Sequence, residues 1–123
     1  MYVTVRLENK EGIHNKFYEM TLSGGLLSKT TIQIYSGRIG VTRVDQSRQR
    51  DIPFGGWNTW NEGYVWFTKQ LKKKVGVKKE YELRNLKASA DAIKEEVQRI
   101  ADDFGSERKK VEAYETFLQT HWW

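Results

Sequence analysis

The stretch that decides the fold is KFYEMTLSGGLLSKTTIQIY, residues 16–35. Its two ends, residues 16–22 and 30–35, alternate apolar and polar side chains or carry β-branched residues, which is typical of β-strands. Ser23-Gly24-Gly25 ends the first segment, because glycine readily adopts backbone conformations that a strand does not. The stretch therefore predicts two strands of an antiparallel sheet.

The chain on either side of this stretch predicts more of the same sheet. Residues 2–7, YVTVRL, alternate with Val3, Val5 and Leu7 on one face, so they predict a half-buried strand. Two glycines in residues 36–40 favour a bulge or a sharp bend. We expect the remaining elements in this order: a strand at 41–44, a long loop at 45–56 and a short strand at 77–83.

A single helix follows the predicted loop. Thr59 and Glu62 have the spacing of a capping box, in which the threonine accepts from the first turn of the helix. Apolar residues then recur at helical spacing, and lysines fill the last turn, where the helix dipole favours positive charge. Gly76 is the expected end of this helix. The shared apolar face carries Trp60, Tyr64, Phe67 and Leu71.

The chain changes character after residue 85. A heptad pattern runs through Leu86, Ala90, Ile93, Val97, Ile100 and Phe104, and Gly105-Ser106 interrupts it before a second helical face with Val111, Tyr114, Leu118 and Trp122. Three arrangements fit: a hairpin folded back at Gly105, a helix paired with a second copy, and a helix packed on its own body. The narrow seam favours a helix–helix contact. Because a lone helical pair offers little core, the homodimer is slightly favoured, and charged residues at Ile93 and Val97 would separate its copies.

These elements predict an α+β fold: a small antiparallel sheet with one packed helix, followed by a C-terminal helical segment or helical hairpin. We expect the first unit to span 1–84 and the helical extension 85–123. The length of 123 residues suits one compact domain with such an appendage.

Composition narrows the class of protein. The chain has no cysteine, which excludes disulfides, thiolate metal sites and cysteine nucleophiles, and its 13% aromatic content excludes full disorder. The sequence offers no apolar run of the roughly 20 residues that a membrane helix needs, and no signal peptide. We therefore expect a cytoplasmic protein with no membrane contact.

The search for catalytic chemistry finds no catalytic or metal-binding constellation. The two histidines, His14 and His121, stand far apart and outside any metal-ligand spacing. The sequence contains no GxSxG elbow, no GxxxxGK[ST] phosphate loop and no GxGxxG motif. We expect a protein that is not an enzyme and that needs no metal or cofactor.

Basic residues are the feature that points to a function. The net charge is +5, but residues 1–87 carry +8 and residues 88–123 carry −3. A basic body suits a polyanion, since arginine and lysine both bind phosphate. Trp66 lies off the apolar helical face and could stack on a base or sugar, or seal a contact with the C-terminal helices. The candidate nucleic-acid-binding residues are Arg38, Arg43, Arg48, Arg50, Trp66, Lys69, Lys72 and Lys73, with Lys74, Lys78 and Lys79 extending the same lysine run.

The body also resembles a known family, the WGR domain. Residues 15–20 read NKFYEM and residues 35–40 read YSGRIG, and they precede Pro53-Phe54 and a helix with a lysine-rich end. Gly37 and Arg38 match the family's Gly and Arg, while Ser36 replaces its Trp. The resemblance covers roughly residues 13–83 and implies a small antiparallel sheet with one helix and no catalysis of its own. In poly(ADP-ribose) polymerases this domain contacts DNA and neighbouring domains through the motif, so the resemblance implies phosphate contact by Arg38. Pairing of Arg38 within the sheet is the alternative.

Two hypotheses about function follow. The first is a nucleic-acid-binding module, with duplex DNA as the favoured ligand and a homodimer formed by the C-terminal helices. The second is a protein-interaction adaptor or regulatory subunit with a partner protein, which would also suit a phage or mobile-element product. Salt dependence separates them, because only phosphate neutralisation makes affinity fall steeply as salt rises.

Overall fold

The computed structural model describes residues 1–10, 15–25, 28–40, 48–76, 79 and 81–121, and only the backbone for 48–55, 120 and 121. These residues form five strands and two helices in an α+β arrangement. In chain order the elements are β1 (Tyr2–Asn9), β2 (Lys16–Ser23), β3 (Thr30–Arg38), β4 (Arg48–Trp57), α1 (Trp60–Val75), β5 (Glu82–Ala88) and α2 (Asp91–His121).

The strands form one sheet with the order β4-β3-β2-β1-β5, and every neighbouring pair is antiparallel. The expected alternation in β1 is confirmed, because Val3, Val5 and Leu7 are fully buried. Their cross-strand partners in β2 are buried too, so one face of the sheet carries the core. The residues that β2 and β3 contribute to this hydrophobic core are Tyr18, Met20, Leu22, Ile32 and Ile34.

Both helices cover this apolar face. The helix α1 begins after Thr59, whose Oγ1 accepts a hydrogen bond from the Glu62 amide at 3.3 Å, as the capping pattern predicts. Its apolar stripe enters the core with Phe67 and Leu71 fully buried. The first half of α2 packs beside it through Val97 and Ile100, and the Tyr64 hydroxyl donates to Glu96 between the helices. Burial and this hydrogen bond raise the pKa of Tyr64.

In the middle of the chain, one expectation is confirmed and another is wrong. The bend expected within residues 36–40 comes at its end: residues 36–38 continue β3, and the turn lies at residues 39–40, where Gly40 has a positive φ of 94°. The expected loop at 45–56 largely forms β4, which pairs with β3 at the edge of the sheet. An edge strand tolerates proline and glycine, because the backbone groups on its outer side do not hydrogen-bond to another strand. The strand expected at 41–44 lies outside the described residues.

The expectations for the C-terminal third need larger corrections. Gly105 does not interrupt the helix, since α2 runs unbroken from Asp91 to His121 and excludes a hairpin folded back there. Leu86 lies in β5 instead of on a helical seam, and the expected unit boundary at 84/85 falls inside this strand. The strand expected at 77–83 is found at residues 82–88. Val97 is fully buried against the chain's own core, so a charge there would disturb the fold rather than a dimer.

Candidate functional site

Four lysines gather at one end of the sheet, where the last turn of α1 meets the first residue of β2. The Nζ atom of Lys74 lies 4.2 Å from the centre of the Tyr18 ring and 5.6 Å from that of Tyr81. The Nζ atom of Lys16 also lies 5.6 Å from the Tyr81 ring. We call Lys16, Lys73, Lys74 and Lys79 the lysine cluster.

Sequence and topology together explain the gathering. The lysines of α1 occupy its last turn, where the negative end of the helix dipole favours cations. Lys16 opens β2, and its register partners are Asn9 on one side and Arg38 on the other. The Asn9 side-chain amide donates to the Lys79 carbonyl at 3.3 Å, which holds the chain after α1 at the same end of the sheet.

The charges of the lysine cluster act on one another. Burial lowers the pKa of Lys74, and the nearby ammonium groups of Lys79, Lys73 and Lys16 lower it further. Among the described residues, no carboxylate lies within ion-pair distance of the lysine cluster or of Arg38. Within the described part of the chain, no ion pair thus neutralises this positive charge, and an anion would relieve the repulsion.

The basic residues around Glu8, on the opposite face of the sheet, behave differently. Glu8 accepts from Arg6 Nε at 3.0 Å, and its carboxylate also lies 3.5 Å from Lys10 and 3.7 Å from Arg84. Burial opposes the ionisation of Glu8, but the hydrogen bonds and charges of Arg6 and Lys10 outweigh it, so its pKa is lowered. These cations are paired, which leaves the lysine cluster as the better site for an anion.

The predicted lysines of α1 divide between two sides of that helix. Lys73 belongs to the lysine cluster, and Lys69 is exposed one turn earlier, on the same side of α1. Lys72 points to α2 instead, with its Nζ atom 5.6 Å from the centre of the Phe104 ring. The three lysines do not form a single row.

Arg38 lies beside the lysine cluster. It is exposed at the end of β3 and pairs in register with Lys16, and residues directly opposite on antiparallel strands share a face. It forms no ion pair among the residues that the structure describes.

The other predicted arginines lie near this end of the sheet or outside the described residues. The backbone of Arg48 pairs with Ser36 and that of Arg50 with Ile34, so β4 begins beside the end of β3 that carries Arg38. The side chains of Arg48 and Arg50 lie outside the described part of the chain, as do Arg43, Lys78 and His14.

Trp66 is half-buried and packs against the core. Its ring centre lies 5.7 Å from that of Trp57, at the end of β4, with an angle of 42° between the planes. The ring thus has a structural partner in the sheet, and only part of its surface could meet a base or sugar.

Sequence reasoning missed Lys16 and the two tyrosines beneath the ammonium groups. Lys16 was visible only as the first residue of a strand, 58 positions before Lys74. Its approach to Lys74 depends on α1 running antiparallel to β2, which no local pattern reveals.

Comparison of the chain with protein-family models, curated proteins and solved structures found no match. The resemblance to the WGR domain therefore stays a prediction. Within the described ranges, no three histidine, aspartate or glutamate side chains are grouped to hold a metal ion. No helix in those ranges is long and apolar enough to cross a membrane.

Proposed function

We propose that this chain is a non-catalytic nucleic-acid-binding module, WGR-like in its body, that contacts phosphates through the lysine cluster and Arg38. Duplex DNA is the favoured ligand. The observation that carries the proposal is the set of four mutually repelling lysines without a carboxylate partner among the described residues. Phosphate is the anion that such a group of ammonium and guanidinium groups binds well.

The surroundings of the lysine cluster extend the same surface. Exposed Lys69 continues it along α1, and the start of β4 brings the backbone of Arg48 to the same end of the sheet. The ammonium groups of Lys74 and Lys16 lie over the rings of Tyr18 and Tyr81 in cation–π contacts. These contacts position the two charges, and both side chains stay partly exposed to solvent. Contacts of this kind bind the phosphate backbone and do not read sequence.

A salt titration with fluorescently labelled duplex DNA tests the proposal. We expect micromolar, sequence-independent binding at about 50 mM salt. If about three phosphates are contacted, affinity should fall roughly 40-fold when salt is raised to about 200 mM. Absence of binding at the lower salt concentration would contradict the proposal.

A charge-matched pair of variants locates the binding surface. The double variant Lys16→Glu/Lys73→Glu reverses two charges of the lysine cluster and should lower the affinity at least tenfold. The control Lys87→Glu/Lys94→Glu changes the net charge equally, at exposed lysines of β5 and α2 away from the cluster. Equal losses in the two variants would mean that only the total charge matters.

A second part of the proposal concerns the end of α2. The helix face that packs on the body through Val97 and Ile100 continues outward with Val111 and Leu118, while residues 112–119 are all exposed. We propose that two copies pair through this face, which would place two basic surfaces in one assembly.

The alternative function is a protein-interaction adaptor, and the same apolar face is the observation that favours it. Tyr114 is 62% exposed and Leu118 is 43% exposed, an arrangement that also suits the groove of a partner protein. A chain that is monomeric and does not bind DNA at low salt would support the adaptor over the nucleic-acid module.

A further inference from the structure

A cleft lies between the start of β5 and the middle of α2, apart from the surface of the lysine cluster. Its volume is about 370 Å³, which is within the range of small-molecule sites. Buried Val75, Tyr81 and Ala101 contribute apolar surface to its lining. Polar and charged groups line the rest, so the cleft combines an apolar surface with hydrogen-bonding partners.

Arg108 supplies an unusual feature of this cleft, because it is only 3% exposed. Its Nη1 atom donates to the Tyr81 carbonyl at 3.1 Å, and its Nη2 atom donates to Glu82 Oε1 at 3.4 Å. The Nε–H group has no hydrogen-bond acceptor in the described ranges, since Glu112 Oε1 lies 3.7 Å away, at ion-pair distance only. A buried donor without an acceptor is costly and calls for an explanation.

Gly105 is a second feature that packing does not explain. It stands inside a 31-residue helix, where glycine is less favourable than alanine, yet a Cβ atom there would meet nothing within 4 Å. The cleft residues Gln98, Ala101, Asp102, Gly105 and Lys109 share one helical face, with Gly105 near its middle. A larger side chain at this position would therefore occupy the cleft.

The unsatisfied groups of the cleft define the chemistry of a ligand. Its two carboxylates each have a contact: Glu82 pairs with Arg84 and Arg108, and Asp102 accepts a hydrogen bond from the neutral Gln98 amide at 3.0 Å. Arg108 Nε remains as a donor, and Lys109 at the rim forms no ion pair within the part of the chain that the structure describes. These two groups favour a ligand whose acceptor oxygens carry negative charge.

We propose that the cleft binds a small organic anion, a carboxylate or phosphate group on a compact apolar body. The anionic oxygens lie beside Lys109 and the Arg108 side chain, and the apolar body packs on Val75 and Ala101 beside Gly105. This site is independent of the nucleic-acid proposal. The Tyr81 ring faces Lys16 and Lys74, whereas its carbonyl faces Arg108.

Nuclear magnetic resonance titrations of the full chain with benzoate and with phenyl phosphate test the proposal. We expect at least one probe to shift the Arg108 Nε–Hε and Gly105 amide signals, with a dissociation constant of about 1 mM or tighter. The probe that binds more tightly identifies the preferred anionic group. Titration with inorganic phosphate alone should give at least tenfold weaker binding, because it lacks the apolar body.

The variant Gly105→Leu should weaken binding of the preferred probe at least tenfold while keeping the fold, since leucine favours the helix. The control Ala113→Leu adds the same side chain to an exposed position of α2 outside the cleft and should leave affinity unchanged. Absence of shifts with both probes would overturn the proposal. Equal affinity of wild type and Gly105→Leu would also overturn it, because binding would then lie elsewhere, for example at the lysine cluster.

Discussion

Lys74 and Tyr18 form a cation–π pair in which the ammonium nitrogen lies 4.2 Å from the ring centre. The Tyr18 hydroxyl accepts a hydrogen bond from Gln70 Nε2 at 3.1 Å, so two residues one turn apart on α1 hold the same ring. These two contacts fix the C-terminal end of α1 on β2. They also place the partly buried Lys74 ammonium group among the other lysines of the cluster.

The lowered pKa of Lys74 gives a pH dependence with a definite sign. The folded protein holds this proton less readily than the unfolded chain, so stability should rise with pH between the lowered pKa and the usual lysine value of about 10.4. The variant Lys74→Gln lacks this group, so its stability should not rise in the same way. The melting temperature of the wild type should therefore increase relative to that of the variant as pH rises through that range. A difference that does not change with pH would contradict the assignment, and Lys94→Gln on exposed α2 is the control.

The cap of α1 should make a measurable contribution to stability. Thr59→Ala removes the side-chain oxygen that accepts from the Glu62 amide, which should cost about 1 kcal/mol of unfolding free energy. Asn61→Ala changes an exposed residue in the first turn without touching the cap and should have little effect. Chemical denaturation measures the unfolding free energy of both variants. Equal values would mean that the Thr59 cap does not stabilise α1.

Two helix glycines should respond in opposite directions to the same substitution. A Cβ atom at Gly63 would lie 2.7 Å from Thr30 Cγ2 and 3.0 Å from Trp57, so Gly63→Ala should destabilise by about 1–3 kcal/mol. Gly105 has open space, and Gly105→Ala should stabilise by roughly 0.5–1 kcal/mol. Thermal melts of both variants check this prediction. If both substitutions stabilise the protein, the close packing around Gly63 is contradicted.

Pairing of two copies should depend on the end of α2. Tyr114→Glu/Leu118→Glu should convert a dimer to a monomer in light scattering, because both side chains are exposed apolar surface. Ala113→Glu places a charge off this face, about 100° around the helix from Tyr114, and should leave the dimer intact. If the unmodified protein is monomeric, pairing is ruled out and the partner-protein alternative remains.

Val97 provides the contrast to this prediction. Val97→Asp buries a charge in the core and should destabilise the fold by at least about 3 kcal/mol whatever the oligomeric state. Denaturation separates the two effects, because Leu118→Glu should change the stability of an isolated copy by no more than about 0.5 kcal/mol.

Strands and the first helix were predictable because their signals are local. Alternation in residues 2–7 and the cap at Thr59 depend on neighbours along the chain, and both are confirmed. β4 was missed because proline and glycine interrupt its pattern, which only an edge position permits.

The heptad pattern after residue 85 misled for a related reason. Part of that spacing belongs to β5, and the helical part packs on the chain's own body through Val97 and Ile100 before continuing outward. A spacing pattern identifies the apolar face of a helix but does not identify what covers it. The helix α2 also continues through Gly105, which the local sequence did not predict. Helix formation is cooperative, so the turns on either side keep one unfavourable residue helical.

The position of β1 between β2 and β5 has a consequence for biosynthesis. β1 leaves the ribosome before both of its partners. It gains β2 early, but its other edge pairs with residues 82–88 and stays open until they emerge. During that interval the edge of β1 is a template for unwanted association with other nascent chains. The addition of β5 therefore covers the free edge of a strand that was synthesised more than 70 residues earlier.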